Sequence, residues 1–326
     1  MSAVGVACDN RGPAPDTLAQ ARAAAEAGAR TLWMATHLFA REPATVAALA
    51  LAQTRDCRVA LMAVSPYAVH PVYAAMMAAT LDELAPGRVV LCLGLGVPRD
   101  LADAGLPTAR PVRTLREACE TARALLAGDR VPYRGEVFRL SGRPLATGAR
   151  RVPVFLAASG PQTLALAGAV ADGVLISAAT SVQFVRWALA RVDEGARGRT
   201  LERVGLVYAA ADDRGAAAAA RFRRTLALIL RSEHHRTNLE LAGSRVDQAA
   251  LTRAVAEENW AAAEALVSDE VLRHHTATGT PSEVRARVGE YRSAGLDEVV
   301  LAGLSDPEET RRTLGAALIP ATEETR

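Results

Sequence analysis

Thr80-Leu81-Asp82-Glu83-Leu84-Ala85-Pro86-Gly87-Arg88-Val89-Val90-Leu91-Cys92-Leu93-Gly94-Leu95-Gly96 decides the fold class. Its first part closes an Ala-rich helical stretch. Pro86-Gly87 then turns the chain into residues 88–93, the most hydrophobic short run of the first hundred residues. A strand this apolar is covered on both faces, as in a parallel sheet wrapped by helices.

The same unit recurs in both directions. Strand-like runs at 4–8, 31–34, 58–64, 88–93, 153–157, 174–177, 204–210 and 298–301 alternate with helical stretches. These are expected at 17–27, 43–53, 72–84, 112–126, 162–169 and 182–194, with one helix starting at Gly279-Thr280-Pro281 and a last one after Asp306-Pro307. Gly28 and Gly128 stand where helices close, and Pro43 suits a first helical turn. Eight strand candidates, each followed by a helix, predict an α/β fold, a closed (β/α)8 TIM barrel in one domain over 1–326. An open doubly wound sheet calls for a Gly-rich turn after the first strand, where Asp9-Asn10-Arg11-Gly12-Pro13 stands instead. Residues 131–140 read as a short extended excursion turning at Gly135. The rhythm breaks over about 216–275, which reads as helical only, so about 214–279 is expected to be a mainly helical insertion after strand seven, shaping a lid or substrate wall.

Composition narrows the function classes. The 38 basic residues, all arginine, nearly balance 36 acidic ones, and aromatics make up only 4%. A nucleic-acid binder would show a basic stripe with stacking aromatics, so that class is set aside. Cys8, Cys57, Cys92 and Cys119 form no CxxC pair and read as reduced buried thiols in a cytoplasmic protein. The longest apolar run, 72–81, falls well short of the ~20 residues of a membrane span, and no signal pattern opens the chain. His234-His235 and His274-His275 lack metal-site spacing or acidic companions, so no metal is expected and they read as solvent-facing helix residues.

Reactive groups of a parallel barrel collect in the loops after its strands. After strand two comes Thr36-His37; a histidine there suits proton transfer at the mouth, or else simply bonds a neighbouring loop. After strand three, Pro66 and Pro71 hold the loop extended, and His70 reads as a packing or capping residue. Gly94 and Gly96 allow close approach of a flat ligand after strand four, though turn glycines are common there. After strand five, Ala158-Ser159-Gly160-Pro161-Gln162-Thr163 opens a helix. Its amides, with the Ser159 and Thr163 hydroxyls, either face an anion or form an ordinary N-cap. Asp172-Gly173 precedes strand six on the opposite, stabilising face and carries no chemistry.

These runs resemble one family. The stretch from Trp33 to Leu38, Pro66-Tyr67 with His70-Pro71, and residues 80–88 with 93–96 resemble the luciferase-like monooxygenase superfamily. So do residues 159–164, Leu166-Ala167-Gly168 and 171–175, which look most like the methylenetetrahydromethanopterin reductase branch. The resemblance covers the chain except about 216–275. It implies a TIM barrel whose mouth holds the deazaflavin coenzyme F420 or, alternatively, reduced FMN. Ser159, Gly160, Pro161, Gln162 and Thr163, with Ala158 leading into them, would then hold the cofactor phosphate, and Gly94 and Gly96 would lie near the ring. It further implies His37 as the catalytic proton-handling residue beside Thr36. A non-prolyl cis peptide is implied at Met62–Ala63, with Val64 next to it against the ring. Thr36 replaces the aspartate common before this histidine, and Ala7 stands where the reductase branch often carries an acid, with Asp9 two residues on. Both departures argue against tetrahydromethanopterin as the substrate. The implied activity is an F420-dependent oxidoreductase acting on a small organic molecule, as a homodimer without membrane or nucleic-acid partners. The alternatives are an FMN-dependent monooxygenase supplied by a flavin reductase, and a non-catalytic barrel homologue.

Overall fold

Along the chain, β1 (Ala3–Cys8), β2 (Thr31–Ala35), β3 (Arg58–Val64) and β4 (Val89–Leu93) alternate with α1 (Ala14–Glu26), α2 (Pro43–Gln53) and α3 (Pro71–Leu84). The computed structural model describes residues 3–130, 132–213, 219–304 and 306–319. A short helix α4 (Pro98–Asp103), absent from the sequence reading, precedes α5 (Pro111–Ala127). The expected excursion is an antiparallel hairpin of β5 (Tyr133–Arg134) and β6 (Arg139–Leu140), its first residue, Val131, lying outside the described residues. There follow β7 (Val154–Ala158), α6 (Pro161–Val170), β8 (Gly173–Ile176), α7 (Val182–Ala196) and β9 (Glu202–Ala211). After the insertion come α13 (Pro281–Ser293), β11 (Glu298–Ala302) and α14 (Pro307–Leu318). The parallel order β1-β2-β3-β4-β7-β8-β9-β11 closes by β11 pairing with β1, the predicted eight-stranded barrel. Among the described residues no helix is long and apolar enough to cross a membrane.

Side-chain alternation splits the strands between two cores. Trp33, Ala60, Met62, Val90, Cys92, Phe155, Leu175, Val204 and Val300 fill the barrel interior, while Leu32, Met34, Val59, Leu61, Leu91 and Val299 pack against the helices. At the amino ends of the strands the interior is closed by polar groups. The Glu298 carboxylate, fully buried, accepts hydrogen bonds from Trp33 Nε1 at 3.0 Å, Thr31 Oγ1 at 3.1 Å and Arg58 Nη2 at 2.9 Å. Arg58 also grips Glu202 with both terminal nitrogens, at 3.0 and 2.7 Å. Burial pushes the Glu298 carboxyl above its usual range despite the Trp33 hydrogen bond and the charge of Arg58. Glu202, partly buried, is also raised by burial, but its hydrogen bond and ion pair with Arg58 bring it below the ordinary value. All four cysteines are free and buried, as expected.

The insertion between β9 and α13 has its own hydrophobic core. Phe222, Leu226, Leu230, Leu251, Val267 and Val271 cluster there, contributed by α8 (Phe222–Leu230), α10 (Gln248–Ala256), α12 (Asp269–His275) and the turn before α12; α9 (Arg236–Ala242) and α11 (Trp260–Ala265) flank them. Residues 214–218, where the insertion was expected to begin, lie outside the described residues. Two expectations fail here. Residues 276–279, the end of the stretch read as mainly helical, are a strand, β10 (Thr276–Gly279), parallel to the outer end of β9, after which Thr280 caps the helix expected to start at Gly279-Thr280-Pro281. The histidine pairs are not simply solvent-facing, because adjacent residues on a helix point about 100° apart and one of each pair turns inward. His235 and His275 are buried, and His275 donates from Nδ1 to the Ala179 carbonyl at 3.0 Å while Nε2 lies 3.0 Å from Ser244 Oγ. Asn238 donates to the same carbonyl at 2.8 Å and accepts from the Ser181 amide at 2.9 Å. The insertion thereby holds the loop after β8, where Ala179 adopts a positive φ.

This burial makes stability acid-sensitive. Desolvation lowers His235 to about 3 and His275 to about 4, from an ordinary 6.5. Between those values the unfolded chain takes up protons that the folded chain refuses, so stability falls as pH drops below about 6.5, by roughly 1.4 kcal/mol per unit per histidine. Denaturant unfolding at pH 7 and pH 5 should show this loss, and His275→Gln should remove its share of the slope. Equal slopes in the two proteins would contradict the assignment.

Candidate active site

The loops after β1 and β2 meet at the carboxyl end of the barrel. Asn10, buried and at φ 58°, donates from Nδ2 to the Arg41 carbonyl at 3.0 Å, and Arg41 donates back to the Arg11 carbonyl. Asparagine tolerates this left-handed backbone better than most residues. The Arg11 amide donates to Asp9 Oδ1 at 2.8 Å, and the Arg11 guanidinium reaches His37, its Nη2 lying 3.3 Å from Nδ1. Burial lowers the His37 pKa from its ordinary value and the Arg11 charge lowers it further, against Asp9 and Asp100. His37 is therefore neutral at neutral pH, half-buried at the mouth, where a histidine can donate or accept a proton.

Thr36 ties His37 to the third strand. Its amide donates to the Met62 carbonyl at 2.6 Å, while its hydroxyl oxygen is buried without a hydrogen-bond partner. The Met62–Ala63 peptide is cis, at the position the resemblance implied, and the pairing of β3 with β4 shifts register between Leu61 and Val64. After the shift Met62 and Ala63 face the interior, but Val64 turns outward into the core beneath the helices. Val64 contributes only its carbonyl, which accepts from the Gly94 amide at 3.1 Å. Its side chain thus lies away from the barrel interior.

Ala63, Gly94 and Ala157 form a floor of small residues across three adjacent strands. A methyl at Gly94 would stand 2.8 Å from Ala63 Cβ and 3.2 Å from Ala157 Cβ, so glycine here keeps the floor flat. Gly96 has a different reason, its φ of 84°. The interior-facing residue on β7 is Ala157; Ala158, the sequence candidate, packs outward.

Beyond β7 the chain enters α6 with Gly160 as N-cap and Pro161 in the first turn, and no side chain caps the first-turn amides. Only Thr163 Oγ1, 3.7 Å away, would neighbour a methyl at Gly160. The open helix start fits an anion, drawn by free amides and the helix dipole. Gln162 is exposed and Ser159 partly so, and Thr163 donates its hydroxyl to the Gly160 carbonyl at 3.0 Å rather than outward. His70 is the N-cap of α3, accepting from the Val72 amide at 3.2 Å, and its ring meets Phe138 edge-on, the capping and packing role anticipated. Asp172 accepts from the Val154 amide at 2.9 Å and pairs with Arg123 at the amino ends of the strands, away from the mouth. Among the described residues no cluster of His, Cys, Asp and Glu is arranged to hold a metal ion.

Sequence reasoning missed Arg11, Ala157 and Tyr208. Tyr208 on β9 packs against the interior cluster and the Phe222 ring of the insertion, centroids 5.5 Å apart, within electrostatic reach of Arg11 and Asp9. An aromatic near the carboxyl end of a predicted strand was the available signal for Tyr208; nothing in the sequence marked Arg11.

Known proteins bear out this architecture. The sequence is 28% identical over 308 residues to a 5,10-methylenetetrahydromethanopterin reductase of Archaeoglobus fulgidus, covering 91% of this chain and 92% of that protein. It is 26% identical over 264 residues to an F420-dependent glucose-6-phosphate dehydrogenase of Nocardia farcinica, covering 76% of this chain and 74% of the other. The fold superposes with a TM-score of 0.88 on the coenzyme F420 dependent tetrahydromethanopterin reductase of Methanopyrus kandleri, at 22% identity over 96% of this chain and 97% of that one. Residues 2–298 match the family described as luciferase-like monooxygenase, and the chain belongs to that family of oxidoreductases.

Proposed function

We propose that this chain is an F420-dependent oxidoreductase that moves a hydride between the deazaflavin and a small organic substrate, with His37 as proton partner. The observation that carries the reading is the uncapped start of α6 beside the flat floor of Ala63, Gly94 and Ala157. The buried, unpartnered hydroxyl of Thr36 supports it, since such an oxygen ordinarily finds a partner. Relatives named as F420-dependent support it further. The α6 amides with Ser159, Gly160, Pro161, Gln162 and Thr163 would hold a phosphate, and Thr36, Met62, Ala63, Gly94 and Gly96 would flank the ring. When bound, F420 supplies the carbon that takes or gives the hydride. His37, one residue beyond the Thr36–Met62 contact, is placed to hold or move a proton beside that floor.

The purified apoprotein titrated with F420 and with FMN, followed by fluorescence quenching, tests the cofactor. Saturable quenching of F420 is expected, and quenching of FMN alone would overturn the proposal. Oxygen-dependent turnover with reduced FMN from a separate reductase would instead support the monooxygenase alternative, which the family description favours. Our reading also includes a cytoplasmic homodimer: Leu49, Tyr73, Met76 and Leu84 stand exposed on helices α2 and α3, apolar side chains that a second copy would cover. A monomeric mass in sedimentation would refute it.

A further inference from the structure

We propose that Arg11 is a positioning residue that decides which nitrogen of His37 carries the proton, so that neutral His37 meets its substrate as an Nε2–H donor. The substrate half of this inference rests on the function proposed above; the tautomer half rests on the geometry alone.

A guanidinium has only donors. With Arg11 Nη2 3.3 Å from His37 Nδ1, that nitrogen must be the acceptor, so the single proton of the neutral ring sits on Nε2. A second proton on Nδ1 would point at a cation, and the contact therefore also disfavours the imidazolium. The backbone that carries Arg11 is fixed. Its amide is fixed by Asp9, its carbonyl by Arg41, and the turn before it by the buried, left-handed Asn10. Asp9 and Arg11 face His37 from the β1 loop and Asp100 from α4, while Tyr208 of β9 faces the same Asp9 and Arg11. The two carboxylates favour the charged ring and Arg11 opposes them.

The consequence concerns recognition. An Nε2–H group seeks a lone pair, such as a carbonyl oxygen or an imine-type nitrogen at the reacting centre. A hydroxyl that must give up its proton needs the other tautomer, which Arg11 blocks while it stays in place.

Histidine side-chain ¹⁵N spectra of the apoprotein read the tautomer directly, with the His37 signal assigned by its loss in His37→Gln. The wild type should show His37 protonated at Nε2 and bare at Nδ1. In Arg11→Ala the two tautomers should mix, and the ring should titrate at higher pH because a positive neighbour is gone. Arg11→Lys, whose ammonium also only donates, should keep the wild-type tautomer. In turnover, Arg11→Ala should move the acid limb to higher pH and lower kcat roughly tenfold, with F420 affinity unchanged and partial recovery in Arg11→Lys. The Arg11 side chain is 61% exposed, so the variants should melt with the wild type. An Nδ1-protonated wild type, or an unaltered tautomer in Arg11→Ala, would overturn the proposal. So would lost F420 affinity with the tautomer intact, which would make Arg11 a cofactor ligand. The spectra need no cofactor, so a failure to bind F420 would remove the functional reading and leave this one standing.

Discussion

Alanine at Glu298 should destabilise the fold by roughly 3–5 kcal/mol, the range for removing one partner of a buried ion pair. The substitution strands the Trp33 indole N–H and the Thr31 O–H donor in the barrel interior, and leaves Arg58 with Glu202 and the Thr31 oxygen. It also opens a space that the surroundings fill poorly, because Gly5 on β1 leaves its own side-chain volume to that carboxylate. Glu298→Gln keeps an acceptor for the indole and should lose less. Denaturant midpoints of the three proteins give the comparison; a loss below about 1 kcal/mol for alanine would mean that desolvation already cancels the network's attraction. The Glu298 network lies at the amino ends of the strands and the mouth at their carboxyl ends, so the folded fraction of Glu298→Ala should keep its cofactor affinity.

Of the three residues that floor the mouth, Ala63 and Gly94 were sequence candidates and Ala157 was not, and the reason is general to this fold. Strand and helix positions were legible wherever burial on both faces and Pro or Gly punctuation coincide: 43–53 and 58–64 have the same ends in sequence and structure. What the pattern does not carry is the phase of a strand, meaning which alternate residue points inward. Ala158 was chosen where Ala157 faces the interior, and Val64 was named beside Ala63 although only Ala63 faces inward, because the register of β3 shifts after Leu61. Thr276-Ala277-Thr278-Gly279 holds no large aliphatic residue and pairs only with the end of β9, so nothing local distinguishes it from a turn. The buried histidines follow from an insertion core assembled from segments scattered over some fifty residues, which a local pattern does not reveal. His37 and the α6 start were legible because both lie directly after predicted strands. Arg11 was not, because its contact with His37 joins two loops 26 residues apart.

His37→Ala should lower kcat by roughly 10²–10⁴, the usual contribution of a positioned proton-transfer group, with F420 affinity little changed. The asymmetry follows from where the residue sits. The proposed phosphate contacts belong to α6 and the ring contacts to Thr36, Ala63 and Gly94, none of which depends on the imidazole for its place: Thr36 is held by its own amide on Met62. The pH profile supplies an independent sign. Burial and Arg11 both hold His37 below its ordinary value, so the neutral ring should persist to lower pH than a free histidine, with activity falling as pH drops through that lowered value. Alanine should abolish this acid limb while leaving the residual rate flat across it. Equal losses in kcat and in cofactor affinity would make His37 a binding residue, and an acid limb surviving in His37→Ala would assign the titration to another group.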